Sequence, residues 1–591
     1  MGNIANGTIN TFVDGDVVSA NGTAPALLRS ALNPKMEVIT AAVNDNDSRI
    51  AILEGQIASI GSSSVQYNVK AAPFNAVGDG IADDTVAIQL AITTAVANEG
   101  VVVFPTGTYK ITDTLNITGT CVIVTDGAST SVIINQTAAF KQFFNITASN
   151  VSISDLRLSI SSTPTSSLIS ATGTSASAYI SNIRIERCTF SHSYPNYAGS
   201  FIYLYFVNNA TITGCTFGGG STAAGSKGIN AICIKNSLIT RNTFSTYIST
   251  GILLDRIPGA TLATYPACDN VVIVQNNFTQ IASTCVSMFT VTNVYISGNT
   301  MKTTIGAASS SNSYLASIKA SASVDPSSVP LPNYYITITE NYIDNLSSPP
   351  GFIGTIYLSR TYDSIISNNI FVGNGLAVQT ASGTSEVVFG NLFLESTCSN
   401  VNVAGCTFIK PLYGGIVLGG VALSPPFDTN TAIISNNVFI DVYAPVSTVT
   451  TQATAIVQIG TSSISVFGNA LRRGSLASSA SIDINSYGFY NVGFSETYSG
   501  SGAYISMGSN DFTLAQVAPV KTYTGTAIVI YYMEPTGDRV FKGFSSAPST
   551  GTWRRGDKVL VDDPSASGYI GYVCVTAGTP GTWKGYGAIQ A

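Results

Sequence analysis

One short phrase recurs along this chain: an aliphatic residue at i, an Asn or Cys at i+3 and a bulky apolar residue at i+5. It occurs eleven times, as Ile185-Cys188-Phe190, Ile212-Cys215-Phe217, Ile239-Asn242-Phe244, Ile273-Asn276-Phe278, Ile296-Asn299-Met301, Ile338-Asn341-Ile343, Ile366-Asn369-Phe371, Val388-Asn391-Phe393, Val403-Cys406-Phe408, Ile434-Asn437-Phe439 and Val466-Asn469-Leu471, mostly 22 to 34 residues apart. The residues before each phrase alternate apolar and polar with period two, which is strand patterning. A unit of this length repeated many times, with strands stacked coil on coil at about 4.8 Å, makes a β-solenoid. The Phe then fills the coil interior, and the Asn sits at a bend where its amide bonds the Asn of the next rung. The three Cys at this place read as small buried fillers.

Composition removes several function classes. With 45% apolar and 10% charged residues the chain is not disordered. No window approaches the roughly 20 apolar residues of a membrane span. The start, Met1 to Asn6, lacks a basic segment followed by an apolar core, so no secretory signal is expected, and Asn6 stands where a myristoylation signal has Ser or Thr. Net charge is −6 with Lys and Arg scattered singly, which argues against a nucleic-acid partner. Nine Cys with no Cys-x-x-Cys pair indicate neither a disulfide framework nor a zinc site, and no cofactor or metal is expected.

Near the start, Asn33-Pro34 is a helix-start pair. Met36, Ile39, Val43, Asn46, Ile50, Leu53, Ile57 and Ile60 then follow a 3-4 spacing without error, a coiled-coil seam. Aliphatic residues at both a and d, several β-branched, favour three strands, and Asn46 fixes register. A homotrimer is therefore expected; a lone amphipathic helix on its own head is the alternative.

Next comes Pro73-Phe74-Asn75-Ala76-Val77-Gly78-Asp79-Gly80-Ile81-Ala82-Asp83-Asp84-Thr85, running into Ala87-Ile88-Gln89 and then Phe104-Pro105-Thr106-Gly107-Thr108-Tyr109. These motifs closely resemble the opening of pectate-lyase-like right-handed β-helix proteins, a superfamily common among phage tailspikes and bacterial polysaccharide-degrading enzymes. The resemblance is at motif level over residues 73 to 111 and in architecture over about 65 to 500. Asp79, Asp83 and Asp84 read as structural, one of the last two capping a helix from Thr85 to Val96. The resemblance implies that this helix lids the open end of the solenoid.

The expected fold is thus all-β: a right-handed parallel β-helix with an N-terminal trimeric coiled coil and a small C-terminal β module. The divisions are a head at 1–35, coiled coil at 36–64, cap and first coils at 65–150, β-helix at 151–495, a β region at 496–545 and the module at 546–591. Both tryptophans, Trp553 and Trp583, fall in that module. They serve either as its core or as carbohydrate-stacking platforms, and in so small a domain the core role is favoured.

Chemistry is sought on strands of the form apolar, x, apolar, polar, polar: Ile232 to Asn236, Ile252 to Arg256, Ile356 to Arg360 and Ile416 to Gly420. Stacking should place Lys235, Asp255, Arg256, Arg360 and nearby Asp363 on or near one outer stripe. Insertions at Pro258 to Asp269 and Val421 to Asn430 would wall it, with Tyr265 and Phe427 as sugar platforms. A glycoside hydrolase needs two carboxylates roughly 5 to 9.5 Å apart, and Asp255 with Asp363, Glu340 or Asp344 are the candidates. Lys235, Arg256 and Arg360 would bind substrate, or assist a lyase. A plain solvated face is the other reading. The lone His192 is expected in a loop, as a bystander.

These elements together resemble a phage tailspike or tail fibre. The head would join a tail or baseplate protein in the virion, after synthesis in the host cytoplasm. The solenoid would bind host surface polysaccharide, with or without cleaving it; a bacterial polysaccharide lyase or hydrolase is the alternative outside phages.

Overall fold

A computed structural model describes most of residues 65–590; the longest interior stretches outside it are 303–315, 374–390, 419–429 and 493–503. The head, the heptad seam from Met36 to Ile60, and Phe427 lie outside the described residues.

Each turn of the chain visits three sheets in order. One turn runs through Lys235–Thr240 in sheet A, Thr243–Ser245 in sheet B and Thr250–Asp255 in sheet C, and then returns to sheet A at Cys268–Val274. The described strands of sheet A number 20, and those of B and C 14 each. Within the solenoid each strand pairs in parallel with its equivalent one turn on: Ile239 with Ile273, Phe244 with Phe278, Ile252 with Val286. The expected parallel β-helix is therefore present, and its core is continuous from Val69 to Phe512.

The repeat phrase explains this continuity. Phe190, Phe217, Phe244 and Phe278 stack inside sheet B with ring centroids 4.9, 4.7 and 4.7 Å apart and planes within 6°. Met301 and Ile343 interrupt the column, and Phe371, Phe408 and Phe439 resume it at 4.8 Å. Across the core from these rings the chain enters sheet C. There a Cβ on Gly251 would lie 2.6 Å from the Phe278 ring, so only glycine fits.

The amides at the A–B bend form a ladder. Asn276 Oδ1 accepts from both the backbone N–H and Nδ2 of Asn242, each at 3.0 Å, and Asn276 repeats this towards Asn299, Asn299 towards Asn341 and Asn341 towards Asn369. A second run joins Asn437, Asn469 and Asn510, the last a member the phrase did not reveal. Each Nδ2 also reaches a carbonyl on the sheet A strand one turn back, as Asn299 does to Ile273 at 2.9 Å. These buried amides are thereby satisfied, which a solenoid bend demands. Cys215 and Cys406 donate their backbone N–H to the next Asn at 2.9 Å, and all nine cysteines are free and buried, as fillers should be.

Two readings need correction. Asn391 is not at the A–B bend: it precedes the sheet C strand Leu392–Leu394, so Val388-Asn391-Phe393 matches the phrase by spacing alone. His192 closes the sheet B strand Thr189–His192 and is buried against Phe201, so it is no loop residue.

The one described helix, α1 (Thr85–Ala97), buries Ile88, Ala91, Ile92 and Ala95 in the solenoid core and closes its first turn. Asp83, not Asp84, supplies the capping oxygen: its Oδ1 accepts from Thr85 N at 3.0 Å. Asp84 accepts from Val77 and Gly78 N–H, and Asp79 from Ile81 and Ala82. All three carboxylates thus hold backbone.

After Met533 the pairing becomes mixed: Val529–Met533 meets Arg539–Phe544 antiparallel, Arg539–Phe544 meets Lys558–Val561 in parallel, and the last two pairings are antiparallel. The last strands gather around Phe541, Trp553, Val559 and Cys574, a cluster apart from the solenoid core. Trp553 is 7% exposed and meets Trp583 edge-on at 5.1 Å. It fills a core and is no platform for sugar. Buried Asp557 pairs with Arg539 and accepts from Arg554 N at 2.7 Å, which ties the Gly-Asp turn to this cluster.

Candidate functional site on sheet C

On sheet C, Ile252 and Leu254 point inward while Leu253 and Asp255 point out. Pairing fixes what lies around them. Tyr203, Asn230, Leu253, Ser287, Lys319 and Tyr357 share one outward row, and Tyr205, Ile232 and Asp255 the next. Phe289 follows Asp255 one rung on, with Lys319 Nζ 5.9 Å from its ring. Tyr203 and Tyr205 stack at 6.1 Å.

Two insertions fence the end of these rows. The first, 257–267, turns back so that Tyr265 lies 5.7 Å from Phe206 and 6.5 Å from Tyr205. The second carries the antiparallel pair Ser323–Val324 and Pro330–Leu331. Arg256 joins them. Its side chain is wholly buried, and it donates from Nε to Tyr265 O at 3.0 Å, from Nη1 to Val324 O at 3.1 Å and from Nη2 to Ala260 O. Gly259 N also bonds Val324 O at 2.9 Å. Charged hydrogen bonds to three carbonyls from two loops make Arg256 a clamp.

The electrostatics centre on Asp255. Burial raises its carboxyl to about 6, although the Arg256 N–H at 2.7 Å and the charges of Arg256 and Lys227 pull the other way. Lys227 and Lys319 are lowered from the ordinary lysine range by the same desolvation. The Tyr205 hydroxyl is raised, by burial first and then by its hydrogen bond with Tyr265. Among the described residues Asn230 Oδ1 is buried with no hydrogen-bond partner. A carboxyl poised near neutrality, partly desolvated lysines and stacked tyrosines form a surface able to hydrogen-bond and stack a polar ring compound and to pass it a proton.

The structure does not bring the sequence candidates together. Asp255 ends a sheet C strand, and Tyr265, in the 257–267 insertion, lies against Phe206 and Tyr205, two rungs from it. Arg256 cannot touch a ligand, because it is buried under the loops it holds. Lys235 starts a sheet A strand, its Nζ 4.9 Å from the Tyr179 ring; the phrase Ile232 to Asn236 was aligned three residues late, since Ile229, not Ile232, pairs with Ile252. Arg360 lies at the turn from sheet C to sheet A, where its N–H meets Thr397 Oγ1 at 3.0 Å. Asp363 lies on sheet A and accepts from Asn400, in a surface row with Asn182, Asn209 and Asn236. Glu340 is exposed at the A–B bend, and Asp344 is on sheet B with Tyr342 OH at 3.4 Å. The four carboxylates therefore sit on different faces, since strand order assigns them to different sheets. Phe427 falls outside the described residues. Lys227, Lys319, Tyr203 and Tyr205 were missed; correct register of Ile229-Asn230-Ala231-Ile232 under Ile252 to Asp255 is the signal that would have found them. Among the described residues no group of three or more His, Cys, Asp or Glu is placed to hold a metal.

Residues 67–314 match the family described as rhamnogalacturonase A/epimerase, pectate lyase-like. No curated protein matches the chain. Among solved structures, PfbA, a surface adhesin of Streptococcus pneumoniae, is 16% identical with TM-score 0.44, over 70% of this chain and 92% of that one. Tailspike protein 3 of bacteriophage CBA120 is 12% identical with TM-score 0.40, over 89% and 69%. The pre-mature gene product 12 of bacteriophage phi29 is 13% identical with TM-score 0.47, over 78% and 64%. The sheets and their register make this chain a parallel β-helix, of which residues 67–314 are similar to the pectate-lyase-like family.

Proposed function

We propose that the protein is a trimeric phage tailspike whose sheet C face around Asp255 binds and cleaves a host surface polysaccharide. The observation that carries this reading is Asp255 itself, an outward carboxyl raised to about 6 among stacked tyrosines and lysines, between two loops clamped by one buried arginine. A general acid works best with a pKa near the operating pH, and sugar rings stack on aromatic faces. The head before the heptad seam would attach to the phage tail or baseplate, and three copies would supply avidity.

In this reading Asp255 protonates the glycosidic oxygen as its bond to the anomeric carbon breaks, water adds to that carbon and releases its proton to solvent, Tyr203 and Tyr205 support neighbouring rings, and Lys319 and Lys227 hold polar or acidic substituents. Hydrolysis also needs a second carboxylate, and Asp363, Glu340 and Asp344 stand on other sheets. That separation favours, as the second reading, an adhesin that binds through the same face without cleavage.

The test is incubation with purified envelope polysaccharides of candidate hosts, following chain length, reducing ends and the ultraviolet absorbance of unsaturated sugar. Asp255→Asn should slow depolymerisation by a factor of about 100 or more while leaving binding intact. Binding without shortening by the wild type gives the adhesin reading; shortening that is unchanged in Asp255→Asn removes Asp255 from catalysis.

A further inference from the structure

Sheet A carries a face that the glycan site does not use. Its six strands Val291–Ser297, Asn333–Thr339, Thr361–Ser367, Ser399–Ala404, Asn430–Ser435 and Ser462–Phe467 contain a single charged residue, Asp363, already bonded to Asn400. On the same strands Tyr334, Tyr335, Ile433 and Phe467 are 38, 48, 42 and 43% exposed. Over the same turns sheet B shows one comparable residue, Ile370 at 41%, and interposes Lys302, Asp344 and Arg472. Sheet C cannot serve, because its outward Tyr357, Phe393 and Val417 are already buried. Over these six strands sheet A is therefore the side of the solenoid poorest in charge.

The sequence says what meets it. The heptad pattern ends at Ile60, and the first strand of the solenoid, Gln66–Asn68, belongs to sheet A. Six residues span at most about 20 Å. An axis along which chains associate would thus enter the solenoid beside sheet A, and parallel chains would bring their sheet A strands to the same level. Uncharged, partly apolar faces held at such a distance bury against each other.

We infer that sheet A, between the strands Val291–Ser297 and Ser462–Phe467, is the surface by which the solenoid packs against second copies of this chain. The inference rests on the trimeric reading above and adds the face. It also leaves sheet C turned outward, where a long glycan has access.

The experiment uses the full chain with one cysteine placed on each face: Thr337→Cys or Ser465→Cys on sheet A, and Thr407→Cys on sheet B. All three sites are half-buried in the single chain, and the nine native cysteines are buried and will not compete. Light scattering reads the oligomer, and the rate of maleimide labelling reads each face. The expected result is an oligomer in which both sheet A cysteines label about tenfold more slowly than the sheet B cysteine. An oligomer with equal rates overturns the face and leaves the trimer standing. A monomer overturns both, and a monomer in which added glycan slows labelling at Thr337→Cys makes sheet A a sugar platform instead.

Discussion

Asp255 shows how a residue's chemistry is set by its place on the strand. The carboxyl is outward, yet desolvation raises it to about 6, against about 3.9 in an unfolded chain. Its proton is held more tightly in the folded state, so the stability it contributes is full below about 3.9 and is lost as pH rises through 6. Asp255→Asn should therefore leave the unfolding free energy unchanged near pH 4 and raise it at pH 8 by an amount on the order of 1–3 kcal/mol, with a higher melting temperature at pH 8. Equal melting curves for both proteins at pH 8 would show that the carboxylate is not desolvated. The ladder amides make the opposite prediction. Asn299 serves both Asn276 and Ile273 and is served by nothing else in its place, so Asn299→Ala leaves buried groups unmet and should cost about 1–3 kcal/mol by chemical denaturation. The role of this amide was legible from the phrase alone, because a bend that recurs with Asn must pair its amides. Arg256 was not: sequence places it after an outward residue, but the chain turns there, and a long side chain at a turn folds under the loops instead of facing solvent.

At the scale of elements, the two loops beside Asp255 act as one wall because Arg256 and Gly259 join them. Arg256→Met keeps much of the side-chain volume and removes all the donors. It should leave unfolding of the solenoid with its cooperativity intact, while limited proteolysis within 257–267 accelerates at least about tenfold. A loop that stays resistant would mean that packing of Tyr265 on Phe206, not the guanidinium, holds it. The strands themselves were read correctly in kind, since period-two patterning and the Phe column leave few alternatives. Register between sheets was harder. Loops of unequal length separate B from C and C from A, so Ile232 looked equivalent to Ile252 when Ile229 is its partner, and Val388-Asn391-Phe393 passed for a bend. That slip of three residues hid Lys227 and moved Lys235 to the wrong face.

At the scale of the molecule, a long solenoid with one face poor in charge gains more from copies alongside than a compact enzyme would. Ile50→Asp with Ile57→Asp would bury six charges in a trimeric seam, which separation alone relieves. Light scattering on this variant should show loss of the trimer at micromolar concentration, whereas an unchanged mass would assign assembly to the solenoid faces alone. The proposed function stands or falls on glycan binding to sheet C around Asp255. Hydrogen exchange of the full chain with and without a binding polysaccharide tests it most directly, because amides under a bound chain slow and distant ones do not. Protection should appear in Ser200–Tyr205, Thr250–Asp255, Thr284–Phe289 and the loop 257–267. Protection confined to sheet A or sheet B, with binding demonstrated, would contradict the account.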